Sequence, residues 1–225
     1  MIKAFFENEK YLTPNDRQLK EVLEKYLLEK YQSPLTVLKL GQYYGMRVRV
    51  SCTDVDFFPH STNARFFNIS EDEYLQHNVV TLKSVCWLEI KHSFKSVKPG
   101  KYKAAMRIKF CDDDFEWPSY GDFDVLLGVW WKDSGDIEHS HKGVFKSADW
   151  YNIKVMVEEG KSFNGFPSNC ALNNHDKSEG WFNFELSDEI IIDQETQVKF
   201  SFQDVRNSGW KSGLCFDFIE LIPFI

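Results

Sequence analysis

The segment Lys101–Phe110 alternates between an apolar face and a largely basic face, and this pattern constrains the fold more than any other feature of the chain. The apolar face consists of Tyr102, Ala104, Met106, Ile108 and Phe110. A period of two residues places successive side chains on opposite faces of an extended backbone. The segment therefore predicts an antiparallel strand that buries one face.

Shorter apolar runs follow this segment and are separated by turns that contain glycine. The runs that predict further strands are Phe123–Trp131, Trp150–Val157, Trp181–Leu186, Val198–Phe202 and Leu214–Phe218. The polar stretch Lys161–Gly180 predicts a long loop. Many short strands joined by turns predict a mainly β fold, an antiparallel β-sandwich of jelly-roll type.

The first part of the chain has a different pattern. Residues 1–60 predict a helical or extended segment that packs on or flanks the main domain, which spans residues 61–225. Thr13 and Pro14 are typical of a helix start. Apolar residues then recur at three- and four-residue spacings, which predicts an N-terminal amphipathic helix over residues 14–31. This helix either packs against the main domain or docks a partner protein.

The charge and hydropathy of the chain limit its partners. With a formal net charge of -7, the chain lacks the basic excess that nucleic-acid phosphates require, so we expect no nucleic-acid partner. No apolar run is long enough to cross a bilayer, and the first residues lack the apolar stretch of a signal peptide. We therefore expect a cytoplasmic protein without membrane contact.

The cysteines indicate the same compartment. Five are scattered along the chain, and none forms a C-x-x-C pair. This pattern is typical of reduced intracellular thiols rather than of a disulfide framework or a zinc site.

Catalytic motifs are scarce. The chain has no G-x-S-x-G, no H-E-x-x-H and no phosphate-binding glycine loop. His139 and His141 could offer imidazoles to a metal ion, and Asp112–Asp114 could hold calcium. The sequence favours the simpler interpretations, a polar loop for the histidines and a solvated acidic turn for the aspartates. We predict a binding protein without metal or cofactor rather than an enzyme.

The seven tryptophans are the better candidates for binding. Trp87 and Trp130 lie within strand-like runs, which favours a place in the core. Trp210 lies in a glycine-containing turn, where its ring could stack on the apolar face of a sugar while Lys211 donates hydrogen bonds to hydroxyl or acetamido groups. The alternative is that Trp210 only caps the end of the sandwich.

Three stretches, in this order, resemble the phloem protein 2 family of plant-type lectins. The first is Val85–Ile90 (Val-Cys-Trp-Leu-Glu-Ile), followed by Pro99–Ala105. The second is Glu179–Leu186 (Glu-Gly-Trp-Phe-Asn-Phe-Glu-Leu). The third is Trp210–Pro223, which begins Trp-Lys-Ser-Gly-Leu and closes on Ile-Glu-Leu-Ile-Pro. The resemblance covers roughly residues 64–225.

The resemblance implies a jelly-roll sandwich that recognises N-acetylglucosamine oligomers or N-glycan cores in the cytoplasm and nucleus. Its partners would be glycans or glycoproteins. A similar sandwich in F-box ubiquitin-ligase adaptors uses a Trp-Lys pair in an end loop, which here corresponds to Trp210 and Lys211. Trp117 and Tyr120 could supply a second wall of the site.

The sequence also departs from the family pattern. The family usually has a Tyr-Trp-x-Trp cluster ahead of its Trp-Leu-Glu-Ile strand, and here Tyr74 is present without the tryptophans. The resemblance makes Tyr74 a further candidate for carbohydrate binding. Residues 1–60 do not resemble an F-box, so an adaptor role is not supported. The alternative function is a protein-interaction module of the same fold that has lost sugar binding. An exposed edge of the sandwich could also form a homodimer.

Overall fold

The computed structural model describes residues 48–58, 63–111, 115–118, 124–159, 170–173 and 180–223. The helix predicted over residues 14–31, the acidic turn Asp112–Asp114 and Tyr120 lie outside these ranges. The described chain forms two antiparallel sheets, which confirms the predicted β-sandwich.

Thirteen strands follow one another along the described chain. They are β1 (Val48–Ser51), β2 (Asp56–Phe58), β3 (Phe67–Asp72), β4 (His77–Leu82), β5 (Leu88–Val97), β6 (Gly100–Phe110), β7 (Asp124–Lys132), β8 (Glu138–Lys146), β9 (Cys170–Asn173), β10 (Trp181–Leu186), β11 (Ile190–Ile192), β12 (Thr196–Asp204) and β13 (Leu214–Pro223). A short 3-10 turn, Cys52–Asp54, follows β1, and one α-helix, α1 (Asp149–Glu158), follows β8.

The larger sheet has the order β3-β4-β13-β6-β10-β9, with β1 also paired to β13 and β11 also paired to β6. The smaller sheet has the order β2-β5-β12-β7-β8. Strands β4 to β7 alternate between the two sheets, so the chain crosses the sandwich repeatedly. Since β1 and β2 pair within the sheets, the sandwich begins before the boundary predicted at residue 60.

The strand predictions from alternation are confirmed at the centre of the sandwich. In β6, the side chains of Tyr102, Ala104, Met106 and Ile108 are fully buried, as the two-residue period requires. Phe200 and Phe202 of β12 lie in the same core from the opposite sheet. The core therefore lies between the two sheets.

The strand predicted over Trp150–Val157 is wrong, because this segment forms α1. Trp150 and Ile153, three residues apart, are fully buried, whereas Tyr151 and Val155 are largely exposed. Burial at a spacing of three is the pattern of a helix. A short apolar run can fit both the two-residue period of a strand and the 3.6-residue period of a helix.

The α1 helix places Trp150 against both sheets. The indole lies within 6.3 Å, between ring centroids, of Phe110 and Phe184 from the larger sheet and of Phe145 and Phe202 from the smaller one. Edge and tilted contacts of this kind are favourable for aromatic rings. Trp150 thus closes the core beside the loop that joins β12 to β13. No helix in the described ranges is long and apolar enough to cross a membrane.

Candidate functional site

Two tryptophans are exposed where β5 begins and where the loop before β13 ends. Trp210 is 55% exposed and Trp87 is 52% exposed. The sequence prediction that Trp87 belongs to the core is therefore wrong. The same prediction for Trp130 is also wrong, because Trp130 is partly exposed and is not among the buried core residues. We call this pair the aromatic end.

A short backbone bridge brings the two tryptophan segments together. The amide of Val85 donates to the carbonyl of Lys211 at 2.9 Å, and the amide of Lys211 donates to the carbonyl of Val85 at 2.8 Å. Trp210 stands one residue before this bridge, and Trp87 stands two residues after Val85 on the other segment. The backbone segments that carry the two indoles therefore lie side by side at one end of the sandwich.

The buried side chain of Lys211 connects the two segments through hydrogen bonds. It is fully buried, and its ammonium donates to the carbonyls of Asn207 at 2.6 Å, Gly209 at 3.1 Å and Cys86. Three carbonyl acceptors match the three N–H donors of an ammonium group. Lys211 therefore does not present its N–H groups to a sugar, as the sequence predicted. These groups instead donate to backbone carbonyls of the two segments.

The ammonium also faces a buried carboxylate. Asp204 Oδ1 lies 3.8 Å from Lys211 Nζ, and neither side chain has solvent exposure. Burial raises the pKa of Asp204, and the charge of Lys211 opposes that rise. Burial likewise lowers the pKa of Lys211, against the charge of Asp204. Each group therefore favours the charged form of the other in a region without water.

Trp117 completes this buried cluster and does not form a wall of the site. It is 2% exposed, and its indole N–H donates to Asp204 Oδ2 at 2.8 Å. Its ring centroid lies 5.0 Å from that of Trp150, so it links α1 to the Asp204 cluster. A ring in this position offers no face to a ligand.

The remaining contacts hold the loop itself. The amide side chain of Asn207 donates to Ser147 Oγ at 3.1 Å and accepts from the Gly209 amide at 2.9 Å. Asn207 is fully buried, so these bonds satisfy a polar group that has no access to water. The loop before Trp210 is therefore fixed at several points.

A groove of about 420 Å³ begins two residues after Trp210. Its lining residues are Thr81, Leu82, Lys83, Cys111, Glu116, Ser212 and Gly213. Glu116 and Ser212 exchange backbone hydrogen bonds at 3.3 and 2.9 Å, which fixes one wall. The groove combines two hydroxyl groups, a carboxylate and an ammonium group next to the aromatic end.

Tyr74 is exposed but lies away from the aromatic end. It belongs to the turn between β3 and β4, where its amide donates to Asp72 Oδ1 at 3.0 Å. The Leu82 carbonyl, at the other end of β4, accepts from Gly213. Since β4 has six residues, its length of about 20 Å separates Tyr74 from the aromatic end.

The two histidines considered as metal ligands line a second cleft, of about 410 Å³, at the opposite end of the sandwich. His139 Nε2 lies 2.8 Å from Asp133 Oδ2, and His141 Nε2 lies 3.0 Å from the Glu189 carbonyl. The hydrogen bond from His139 lowers the pKa of Asp133. Within the described ranges, no three His, Cys, Asp or Glu side chains are arranged to hold a metal ion.

Trp87 is the residue that sequence reasoning missed, although the sequence contains a signal for it. Leu88 and Ile90 are fully buried, so the alternation of β5 turns Trp87 and Glu89 to the other face. The family motif Trp-Leu-Glu-Ile thus begins with an exposed ring.

Comparison with known proteins gives a family match over the whole sandwich. A family model described as Phloem protein 2 matches residues 48–223. Protein PHLOEM PROTEIN 2-LIKE A9 of Arabidopsis thaliana is 29% identical over 135 residues. That match covers 59% of this chain and 65% of the relative, so the chain spans just under two thirds of the relative's length.

Two solved structures of carbohydrate-binding proteins resemble the chain distantly. A family 35 carbohydrate binding module from Clostridium thermocellum has a TM-score of 0.39 and 11% identity, covering 80% of this chain and 99% of that chain. The Podospora anserina GH26-CBM35 beta-(1,4)-mannanase has a TM-score of 0.37 and 10% identity, covering 80% of this chain and 28% of that chain. TM-scores this low establish neither a shared ligand nor a shared site.

Proposed function

This chain belongs to the phloem protein 2 family, and we propose on that premise that it is a lectin that binds glycans containing N-acetylglucosamine without transforming them. The observation that supports the proposal is the aromatic end, where Trp87 and Trp210 are both more than half exposed. Large aromatic side chains at a soluble surface are typical of binding sites. An indole face suits the C–H face of a pyranose ring.

The buried cluster beneath the rings favours binding because it limits their motion. The fully buried side chain of Lys211 joins the Trp210 loop to the Cys86 carbonyl, next to Trp87, through hydrogen bonds. Rings that are already positioned lose less conformational entropy when a ligand arrives. In this proposal Lys211 positions the site, and the rings of Trp87 and Trp210 contact the sugar.

The groove beside Trp210 supplies the polar part of the proposed site. The Glu116 carboxylate can accept hydrogen bonds from sugar hydroxyls, and Ser212 and Thr81 line the same groove. A volume of about 420 Å³ lies at the lower end of small-molecule sites and suits one or two sugar units. A chain of sugars could therefore stack on Trp210 and continue into the groove.

The expected affinity per site is low. A shallow surface with few anchors gives dissociation constants of roughly 0.1–1 mM, because few contacts offset the cost of association. Tighter capture of a glycoprotein would require several copies of the ligand or of the lectin.

Calorimetric titration of N,N',N''-triacetylchitotriose tests the proposal with three proteins: wild type, Trp210→Ala and Trp130→Ala. Trp130 is a matched control, because its ring is only partly exposed and lies over Gly128 on the outer face of β7. We expect wild type and Trp130→Ala to bind equally and Trp210→Ala to bind about tenfold more weakly or not at all. Equal binding by all three proteins would place the sugar elsewhere.

A substitution at Glu116 tests whether the groove takes part in binding. Glu116→Gln keeps the shape of the side chain and removes the charge, and Glu116 is exposed. We expect it to weaken binding of the trisaccharide and to leave binding of the monosaccharide unchanged, because only the longer ligand reaches the groove. If the substitution lowered the affinity for both ligands equally, Glu116 would not lie in a part of the site that only the longer ligand reaches.

One observation favours the alternative, a protein-interaction module that has lost sugar binding. The Lys211 donors predicted for sugar hydroxyls are bonded to three backbone carbonyls. If wild type gives no heat with chitotriose at millimolar concentration while remaining folded, this alternative replaces the lectin proposal.

A further inference from the structure

Cys111 and Cys215 bring their sulfur atoms together beside the groove. The two Sγ atoms are 2.7 Å apart, although the residues are 104 positions apart in the chain. A disulfide bond requires an approach to about 2.05 Å, so little movement separates this contact from a covalent bond.

The strands fix this arrangement. Cys111 follows the last residue of β6, and its amide donates to the Gly213 carbonyl at 2.8 Å. Cys215 lies near the start of β13 and pairs with Lys109 of β6. The two thiols are therefore held together by the backbone ladder rather than by a mobile loop.

The surroundings favour a reactive thiolate at Cys215. The hydrogen bond with Cys111 lowers the pKa of Cys215 more than burial raises it. A hydrogen bond with Thr81, at 3.4 Å, and the charge of Lys109 also lower this pKa, and the charge of Asp72 opposes them. For Cys52 and Cys170 no such hydrogen bond offsets burial, which raises the pKa of Cys52 and raises that of Cys170 to about 12. Thiolates react with disulfides and thiols do not, so these environments separate one reactive pair from two inert cysteines.

Both residues of the pair are within reach of a small reagent. Cys111 and Cys215 are each partly exposed, and Cys111 lines the groove of about 420 Å³. Cys52 and Cys170 are buried. The cysteine whose pKa is lowered, Cys215, and its neighbour Cys111 are therefore also accessible to a small reagent.

We propose that Cys111 and Cys215 form a redox-active dithiol that oxidises reversibly to a cross-strand disulfide by exchange with a small-molecule disulfide such as oxidised glutathione. The Cys215 thiolate attacks one glutathione sulfur and releases one glutathione thiolate. Cys111 then gives its proton to the released glutathione thiolate and attacks Cys215 Sγ in the mixed disulfide. This attack releases the second glutathione as a thiolate, which takes a proton from solvent. Two protein thiols are oxidised, and one glutathione disulfide is reduced to two thiols.

The bond would join β6 to β13 at the wall of the groove. A cross-link that closes so long a loop stabilises a fold mainly by restricting the unfolded chain. The oxidised protein should therefore unfold at a temperature several degrees higher than the reduced protein.

Mass spectrometry after equilibration with glutathione redox buffers tests the proposal. Trypsin cleaves after Lys109 and Lys211, so the two thiols fall on peptides that begin at Phe110 and Ser212. We expect oxidised wild type to yield these peptides as one cross-linked species, with a mass two hydrogen atoms below their sum. Dithiothreitol should separate them and reverse the rise in unfolding temperature.

Single substitutions supply the controls. Cys111→Ser should stop at a mixed disulfide between Cys215 and glutathione, because the second thiol is gone. Cys86→Ser should behave as wild type, since Cys86 is also partly exposed but has its sulfur outside the pair. The proposal would be overturned if wild type formed only mixed disulfides or a cross-link through Cys86. This test uses the wild-type protein alone, so it does not require any variant to fold.

Discussion

Lys211 Nζ and Asp204 Oδ1 lie 3.8 Å apart with both side chains fully buried. The ion pair stands directly beneath the loop that presents Trp210. Because the Lys211 ammonium also bonds to the Cys86 carbonyl, one buried charge holds both tryptophan segments. The aromatic end therefore depends on a group that no ligand can reach.

Lys211→Met tests this dependence. The substitution keeps an unbranched side chain of similar length but leaves Asp204 buried without its countercharge and three carbonyls without a donor. We expect the free energy of unfolding to fall by about 3–5 kcal/mol, the usual cost of removing one partner of a buried ion pair. Urea denaturation measures it. Lys83→Met, at an exposed lysine, should change stability by less than about 0.5 kcal/mol, and equal effects at both positions would refute the buried role.

Trp117→Phe separates a core role from a ligand-binding role. Phenylalanine retains an apolar ring and removes the N–H group that donates to Asp204. We expect a loss of about 1–3 kcal/mol in stability, because a buried carboxylate loses a hydrogen bond. Chitotriose affinity should be unchanged at a temperature where the variant is folded. Unchanged stability with lost affinity would show instead that Trp117 contacts the sugar.

His77 gives a pH dependence of known sign. Its Nε2 lies 2.7 Å from Asp217 Oδ1, and this hydrogen bond raises the pKa of His77. The folded state therefore favours protonated His77. The stabilisation is complete below the pKa of histidine in the unfolded chain, about 6.5, and is lost as the pH rises through the higher folded value.

Wild type should therefore be more stable than His77→Gln at pH 6, by less than about 1 kcal/mol because the imidazole is half exposed. The difference should shrink toward pH 8. His92 is a control of opposite sign, because burial lowers its pKa and it should cost stability as the pH falls. Denaturation curves at several pH values measure both, and a difference at His77 that grows with pH would contradict this assignment.

Gly213→Ala tests the turn that links the Trp210 loop to β13. Gly213 has a φ of 76°, which is the left-handed region. Alanine in this region costs roughly 1–2 kcal/mol, and we expect thermal unfolding to show a loss of that size. Gly135→Ala is the comparison, because Gly135 is exposed and does not have a positive φ. If both variants lose the same stability, the strain at Gly213 is not the cause.

The central strands could be predicted from the sequence because each buries one face. Alternation in Lys101–Phe110 is sufficient to place β6 and to identify the side chains of its core face, although Ala105 on the other face is buried as well. The Trp150 segment could not be assigned in the same way, because its apolar positions fit a strand and a helix alike. Contacts of Trp150 with both sheets decide in favour of α1.

The site could be predicted only in part. Trp210 in a turn indicates an exposed ring, and the structure places it so. The burial of Lys211 could not be predicted, because its acceptor at Cys86 is 125 residues away in the chain. The contact between Cys111 and Cys215 could not be predicted either, because the two residues are far apart in the sequence. Only the pairing of β6 with β13 brings them together.

The most direct test of the central claim is a two-dimensional ¹H–¹⁵N spectrum of the tryptophan side chains during a chitotriose titration. The chain has seven tryptophans, and single Trp→Phe variants assign each indole N–H signal. We expect the signals of Trp87 and Trp210 to shift together with one dissociation constant, and those of Trp117, Trp130 and Trp150 to stay in place. Shifts confined to other tryptophans, or none at millimolar sugar, would contradict a glycan site at the aromatic end.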